Sequence, residues 1–365
     1  MKRFLTIFPL GANIHLVKDV GMIPFILQKE YGYDSTLATH RNGEYSYLST
    51  EVKGLKHVFI KKIFNNHFLD VLIFILLNFR KYDVLQVYHL TANSIIWTYV
   101  FKLLKFNRAK TYLKLDADGR TTSPGGIKRI ISKLMLRKLD LITGETREYA
   151  QLLNDQGLVK KKVEYCPNGF YDDGIRNDAD YNAKKNIILT VGRIGTEQKA
   201  SEVLVEGFRL FSETNKDWKL EIVGPIEPAF NMFIADYFKK YPELKAQISF
   251  LGGIHDRNEL EAKYQSVKIF ALTSRWEGFP LVFPEAIKTG CFIVSSEIPA
   301  SKDVVENGKY GVLFPIDDTK ALAEAFKEAT NDDERLRKAC SEIQDNGYKN
   351  FYWPELCGRI AQYLS

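Results

Sequence analysis

Two doubly wound α/β domains are predicted for this chain, and three observations predict them. Short runs rich in β-branched and aromatic residues alternate with helical stretches along the whole sequence. The pattern starts afresh near the middle, after the polar loop YDDGIRNDADYNAKK. A length of 365 residues also exceeds what one hydrophobic core usually serves. The expected domains are residues 1–172 and 173–349, with a last helix at 350–365 packing back on the first. That tail carries Tyr348, Phe351, Tyr352 and Trp353 as candidate anchors.

In the first half the expected strands are RFLTIFPLG, DSTLAT, KHVFIKK, DVLQVYHL, AKTYLKLD, LDLITG and KVEYCPNG. Between them, MIPFILQKEYG is apolar on one face and ends at a glycine, as helices often do. FLDVLIFILLNF is the most apolar stretch. It is shorter than the roughly 20 residues a membrane span needs, so it reads as a buried or an interfacial helix. IKRIISKLMLRKL is amphipathic and basic. In the second half the strands are NIILTVGR, WKLEIVG, QISFLGG, KIFALTS, CFIVSSE and GVLFP. Their runs are nearly continuous in apolar residues, the mark of parallel strands covered on both faces.

Apolar content of 45% and charged content of 26% are those of a soluble globular protein. The four cysteines are scattered, with no C-x-x-C pair, which speaks against zinc and a disulfide framework. The net charge of +6 conceals an asymmetry. Residues 1–170 hold 26 basic and 14 acidic side chains; the remainder holds 25 and 31. A basic half suggests an anionic partner, for which nucleic acid, an anionic membrane face and a phosphorylated lipid are candidates. No nucleic-acid recognition motif is visible.

In doubly wound folds, ligands bind beyond the carboxyl ends of the strands. Gly11, Asn13, His89, Asp116, Asn168, Arg193, Gly252 and Glu277 follow strands here. Two such domains facing each other would form a cleft. In VGRIGTEQKASEVLVEGF, Arg193 follows a strand and Lys199 stands at the entry of a helix, a pair suited to a diphosphate. In SRWEGFPLVFPEAIKTG, Pro280 and Pro284 forbid a continuous helix, so Glu277 and Gly278 lie in a loop and Glu285 in the first turn of a helix. Helix-dipole stabilisation, worth about 0.3–1 kcal/mol, accounts for Glu285 alone. It does not account for Glu277, Gly278 or the backbone N–H groups of GFPL.

These motifs resemble family 4 glycosyltransferases of the bacterial capsule, exopolysaccharide and O-antigen type. The resemblance rests on ILTVGR and the lysine after it, LEIVG, ISFLGG, Glu277 and Glu285 eight positions apart, and GVLFP, and more weakly on the glycine loop after the first strand, DVLQVYHL and PNG. It implies a GT-B fold, two facing Rossmann-like domains with a cleft between. It also implies a retaining transfer from a nucleoside-diphosphate sugar to a polyprenyl-diphosphate-linked saccharide, by a protein at the inner face of the cell membrane. By position, Arg193 and Lys199 match the pair that holds the diphosphate, Glu285 the acid on the ribose hydroxyls, and Glu277 the acid at the donor sugar. Gly278, Phe279, Pro280 and Leu281 match the sugar and phosphate turn, and Gly252, Gly253 and Ile254 the base wall. Gly11, Ala12, Asn13 and His15 match the loop between donor and acceptor.

Two departures from the family pattern stand out. Ala200 replaces a common glycine, and Asp116, with Asp118 nearby, stands where several members have a histidine. Asp116 could serve the acceptor or pair with Lys114 or Arg120; His89 and His15 are the other candidates for the chemistry. No cofactor and no metal are expected, since two cations and a helix end can carry the diphosphate. The same scaffold also serves sugar-nucleotide 2-epimerases and non-catalytic glycosyltransferase partners.

Overall fold

The computed structural model describes residues 1–115, 135–157 and 162–365. Asp116, Asp118, Arg120 and most of IKRIISKLMLRKL lie outside them. The chain divides into two compact units, Met1–Tyr171 with Phe351–Ser365, and Asp172–Asn350.

In the first unit the strands are β1 (Arg3–Ile7), β2 (Asp34–Thr39), β3 (Lys56–Phe59), β4 (Val84–Tyr88), β5 (Lys110–Leu115), β6 (Leu141–Gly144) and β7 (Glu164–Tyr165). They form one parallel sheet in the order β3-β2-β1-β4-β5-β6-β7. The order reverses at β1, so the crossovers from β1 and β4 leave in opposite directions and open a crevice at their carboxyl ends. β4 is buried along its whole length, whereas the edge strand β3 is not. That difference is why inner strands read as unbroken apolar runs and edge strands do not.

Helices cover both faces. On one side α1 (Asp19–Tyr31) joins the last helix, Trp353–Leu364, in a core of Phe4, Ile23, Leu27, Trp353, Leu356, Ile360 and Leu364. Each such aliphatic side chain contributes roughly 1.5–3 kcal/mol on burial. On the other side α2 (His67–Asn78) and α3 (Ala92–Leu104) cover Leu5, Leu85, Val87 and Leu113. Of the tail aromatics, Phe351, Tyr352 and Trp353 belong to the first unit. Tyr348 belongs to the second, where its hydroxyl bonds Asp172.

The second unit repeats the plan. Its strands β8 (Lys185–Val191), β9 (Lys219–Val223), β10 (Ile248–Gly252), β11 (Val267–Leu272), β12 (Phe292–Ser296) and β13 (Gly311–Phe314) are parallel and ordered β10-β9-β8-β11-β12-β13. The reversal now falls at β8, beside β11. Both units therefore have the Rossmann-like topology that the resemblance implied. All four cysteines are buried and free of disulfides.

KHVFIKKIFNNHF begins as the expected strand, β3, and continues as a loop that ends at Asn66, the cap of α2. The Asp70 carboxylate explains why the loop holds, since it accepts the N–H groups of Ile63 and Phe64, both at 2.9 Å.

Ala200 departs from glycine at a costly place. It is buried, has φ 47°, and caps α5 (Ser201–Ser212). A left-handed conformation costs an L residue roughly 1–2 kcal/mol. Replacing it with glycine relieves that strain but loses about 0.8 kcal/mol of methyl burial and about 0.5–1 kcal/mol in chain entropy. We therefore expect Ala200→Gly to leave the unfolding free energy within about 1 kcal/mol of wild type, whereas Ala200→Val, β-branched at positive φ, loses at least about 2 kcal/mol. Urea unfolding of the two variants measures both; a valine variant as stable as wild type would contradict this backbone.

Candidate active site

The reversal point of the second sheet gathers the residues that follow β8 and β11. Gly192 and the exposed Arg193 leave β8, and a tight turn leads to α5. Within it, Lys199 and Ala200 N–H groups donate to the Thr196 carbonyl (3.1 and 3.2 Å), and Gly195 N–H to the Ser201 hydroxyl (2.9 Å). The lysine stem crosses the strand end, so a Cβ at Gly192 would come within 3.3 Å of Lys199 Cε and press on the lysine chain. On the β11 side, the Thr273 hydroxyl donates to the Lys199 carbonyl (2.9 Å), and Arg275 N–H to the Gln198 carbonyl (2.8 Å). The Arg275 guanidinium bonds Glu202 and Asp317, both at 2.7 Å, and the Glu197 carbonyl at 2.6 Å. The two loops are thus held against each other by backbone and side chain together.

The charges meet on this frame. Lys199 Nζ lies 2.7 Å from Glu277 Oε1, which also accepts the Ser274 hydroxyl at 2.8 Å. The Gln198 amide donates to Glu277 Oε2 (3.1 Å) and to the Trp276 carbonyl (2.9 Å), while its oxygen accepts from Arg193 at 2.9 Å. Arg193, Gln198, Glu277, Lys199 and Ser274 form one continuous network. Gln198 and Ser274 have no role in the sequence reading; their adjacency to Lys199 and Glu277 was the only signal available.

Glu285 is held differently. Its Oε2 accepts the hydroxyl of the buried Tyr264 at 2.9 Å. Burial pushes the Glu285 carboxyl above its ordinary range, and the Tyr264 hydrogen bond opposes that shift. The helix it starts, α8 (Val282–Lys288), has seven residues, with Pro284 and Glu285 in its first turn. So short a helix adds little dipole to the site, and the side-chain cations have to supply the positive charge. In the preceding turn Phe279 is buried against Phe283, Pro280 accepts the Phe283 N–H (3.2 Å), and Gly278 and Leu281 are half-buried. Gly252 ends β10 and its carbonyl accepts Gly224 N–H (2.7 Å), while Gly253 is exposed and Ile254 half-buried just beyond.

In the first unit the loop after β1 is braced from one side. Asn42 donates to the carbonyls of Pro9 and Gly11, both at 2.8 Å, and the Tyr45 hydroxyl also donates to Gly11 (2.8 Å). Asn13 donates to Ser46 and accepts Tyr47 N–H, both at 2.9 Å. Gly11 has no room for a side chain, since a Cβ would meet Thr39 Cγ2 at 2.5 Å. His15 Nδ1 accepts the Ala12 N–H at 2.9 Å, so it serves the shape of this loop. His89 follows β4 with φ 62°, donates its N–H to the Lys114 carbonyl (3.0 Å), and is exposed. The rings of His15 and His89 both pack on Phe8, at 5.1 and 5.8 Å. A histidine in a left-handed conformation at a reversal point is a local strain that functional sites often carry.

The family described as "Glycosyl transferases group 1" matches residues 172–349. These residues are a group 1 glycosyl transferase domain. The chain is 23% identical over 227 residues to a lipopolysaccharide core biosynthesis mannosyltransferase of Rhizobium meliloti, covering 60% of this chain and 64% of the relative. It is 27% identical over 169 residues to a Campylobacter jejuni N-acetylgalactosaminyltransferase named for an undecaprenol-linked saccharide, covering 46% and 44%. The chain thus spans less than two thirds of each of these curated relatives. In fold it is similar to Anabaena HepE, crystallised with UDP and glucose, with a TM-score of 0.73, 13% identity, and coverage of 100% and 99%.

The network of the glycosyl transferase domain can be tested without any ligand. Lys199 and Glu277 are both largely buried, so loss of one leaves the other uncompensated. A double-mutant cycle of Lys199→Ala and Glu277→Ala, read by urea unfolding, should give a coupling of about 1–3 kcal/mol. Additive effects would mean that the pair does not form in solution.

Proposed function

We propose that the protein is a retaining glycosyltransferase that moves a sugar from a nucleoside-diphosphate donor to a lipid-linked saccharide during surface polysaccharide synthesis. The observation that carries this reading is the Arg193–Gln198–Glu277–Lys199 network at the reversal point of a group 1 glycosyl transferase domain. Arg193 and Lys199 neutralise the diphosphate, whose charge grows as the bond from the anomeric carbon to its oxygen breaks. A fixed cation aimed at developing charge stabilises it at no cost in reorganisation. The acceptor hydroxyl forms the new bond on the face the diphosphate leaves, and its proton passes to the departing phosphate oxygen.

Glu277 is assigned to the donor sugar and holds the Lys199 ammonium in place. Glu285, with Tyr264 behind it, is assigned to the ribose hydroxyls. Pinned between Arg193 and Glu277, Gln198 positions one against the other. The turn Gly278–Leu281 and the loop Gly252–Ile254 are assigned to the phosphate and the base. Gly11, Ala12, Asn13, His15 and His89 are assigned to the acceptor side. No metal is invoked, because the side chains named supply the positive charge; added EDTA should leave the rate unchanged.

The lipid carrier of the acceptor implies work at the inner face of the cell membrane. Support for that comes from the Campylobacter relative, whose name specifies an undecaprenol-linked substrate, and from the basic first half of the chain. Among the described residues, no helix is long and apolar enough to cross a membrane.

Calorimetry against a panel of UDP-, GDP-, dTDP- and CDP-sugars identifies the donor. Lys199→Ala and Glu285→Ala should then each weaken donor binding by about 1.5–3 kcal/mol, the range for hydrogen bonds to charged groups. Gln198→Ala should lower kcat more than it raises KM, because it spares the charges and disturbs only their alignment. Unchanged donor affinity in both charge variants would overturn the site assignment.

A further inference from the structure

The outer face of α2 is apolar where a surface helix is normally polar. Val71 and Ile75 point into the first unit's core. The residues on the opposite side of the same helix are Leu69, Ile73, Leu76 and Leu77, spaced as one stripe. Leu69, Leu76 and Leu77 are 38%, 45% and 74% exposed. Just before the helix, Ile63 and Phe64 are 55% and 58% exposed, in the loop held by Asp70. Such a helix face loses hydrophobic free energy in water unless something covers it.

The charges around this face say what covers it. Lys61 and Lys62 precede it, Arg80 and Lys81 follow it, and all four are exposed. The one carboxylate between Lys61 and Lys81, Asp70, is buried and turned to backbone N–H groups. An apolar stripe about 12 Å long, with cations before and after it and no exposed acid between Lys61 and Lys81 in sequence, matches an anionic bilayer surface. A protein partner would have to bring its own carboxylates to both ends.

We propose that the outer face of α2, with Ile63 and Phe64 before it, lies on an anionic lipid surface, with the leucines at the acyl boundary and the four cations among the headgroups. The inner half of the helix stays in the protein core, so α2 rests in the interface plane and does not insert as a free segment. The proposal takes up the lipid part of the reading above. Its test contains no sugar nucleotide, so it can fail while the donor site stands.

The test is co-sedimentation of the full chain with vesicles of phosphatidylcholine alone or with phosphatidylglycerol added. Binding should be about tenfold or more stronger with phosphatidylglycerol, and should weaken with salt. Leu76→Glu combined with Leu77→Glu should remove binding to both, at unchanged melting temperature. Lys61→Glu combined with Lys62→Glu should remove the preference for phosphatidylglycerol. A Leu77→Trp reporter, placed where the side chain is most exposed, folds in any case, and its emission should shift to the blue only with anionic vesicles. An unshifted reporter overturns the proposal. So does a leucine double variant that binds as wild type, or a wild-type dimer that the leucine variant dissociates and that ignores vesicles.

Discussion

The placement of β11 directly beside β8 is the constraint on which the candidate site depends. Because the chain leaves β8 toward β9 and reaches β11 from the other side, no crossover covers the carboxyl ends of this strand pair. Two loops nearly eighty residues apart in sequence are brought into hydrogen-bond contact there. Thr273 on the Lys199 carbonyl and Arg275 on the Gln198 carbonyl set their separation. Only then do Lys199 and Glu277 come within 2.7 Å. The ion pair is a product of topology first and of charge second.

That order explains what could be read from the sequence. The strands were legible because a strand covered on both faces has no reason to alternate, and β4, β5 and β12 are buried almost throughout. Arg193 and Lys199 were legible because a cation just beyond an apolar run is locally conspicuous. Gln198 was not, since a glutamine in a turn is unremarkable until Arg193 and Glu277 close on its two ends. Tyr264 was not either: it meets Glu285 across 21 positions of sequence. For α2 the composition announced an apolar helix with two possible environments. Deciding between them needs the rotation of the helix, which Val71 and Ile75 set by entering the core.

Ala200 shows how strongly the frame is determined. The turn requires a left-handed residue between Lys199 and α5, and the chain holds an alanine there. The Thr196 carbonyl, the Thr273 hydroxyl and a fully buried methyl position impose the conformation from three sides. A strained backbone persists where its neighbours over-determine it, and here the neighbours are the same groups that place Lys199.

The two units share one strand order but set different chemistry at the reversal point. In the second, the strand ends carry a guanidinium, an ammonium and two carboxylates, each fixed by a hydrogen-bonded neighbour. Such groups can pair with an anion that bears hydroxyls. In the first, the corresponding strand ends carry Phe8 with the rings of His15 and His89 against it, and a loop whose carbonyls are taken up by Asn42 and Tyr45. This surface offers imidazole and aromatic faces in place of charge. The excess basic charge of the first half is therefore not explained by its strand ends. Four of those cations lie before and after the outer face of α2. On the readings proposed above, charge in this chain has two separate duties, one in the second unit toward a phosphorylated ligand and one in the first on the outer face of α2.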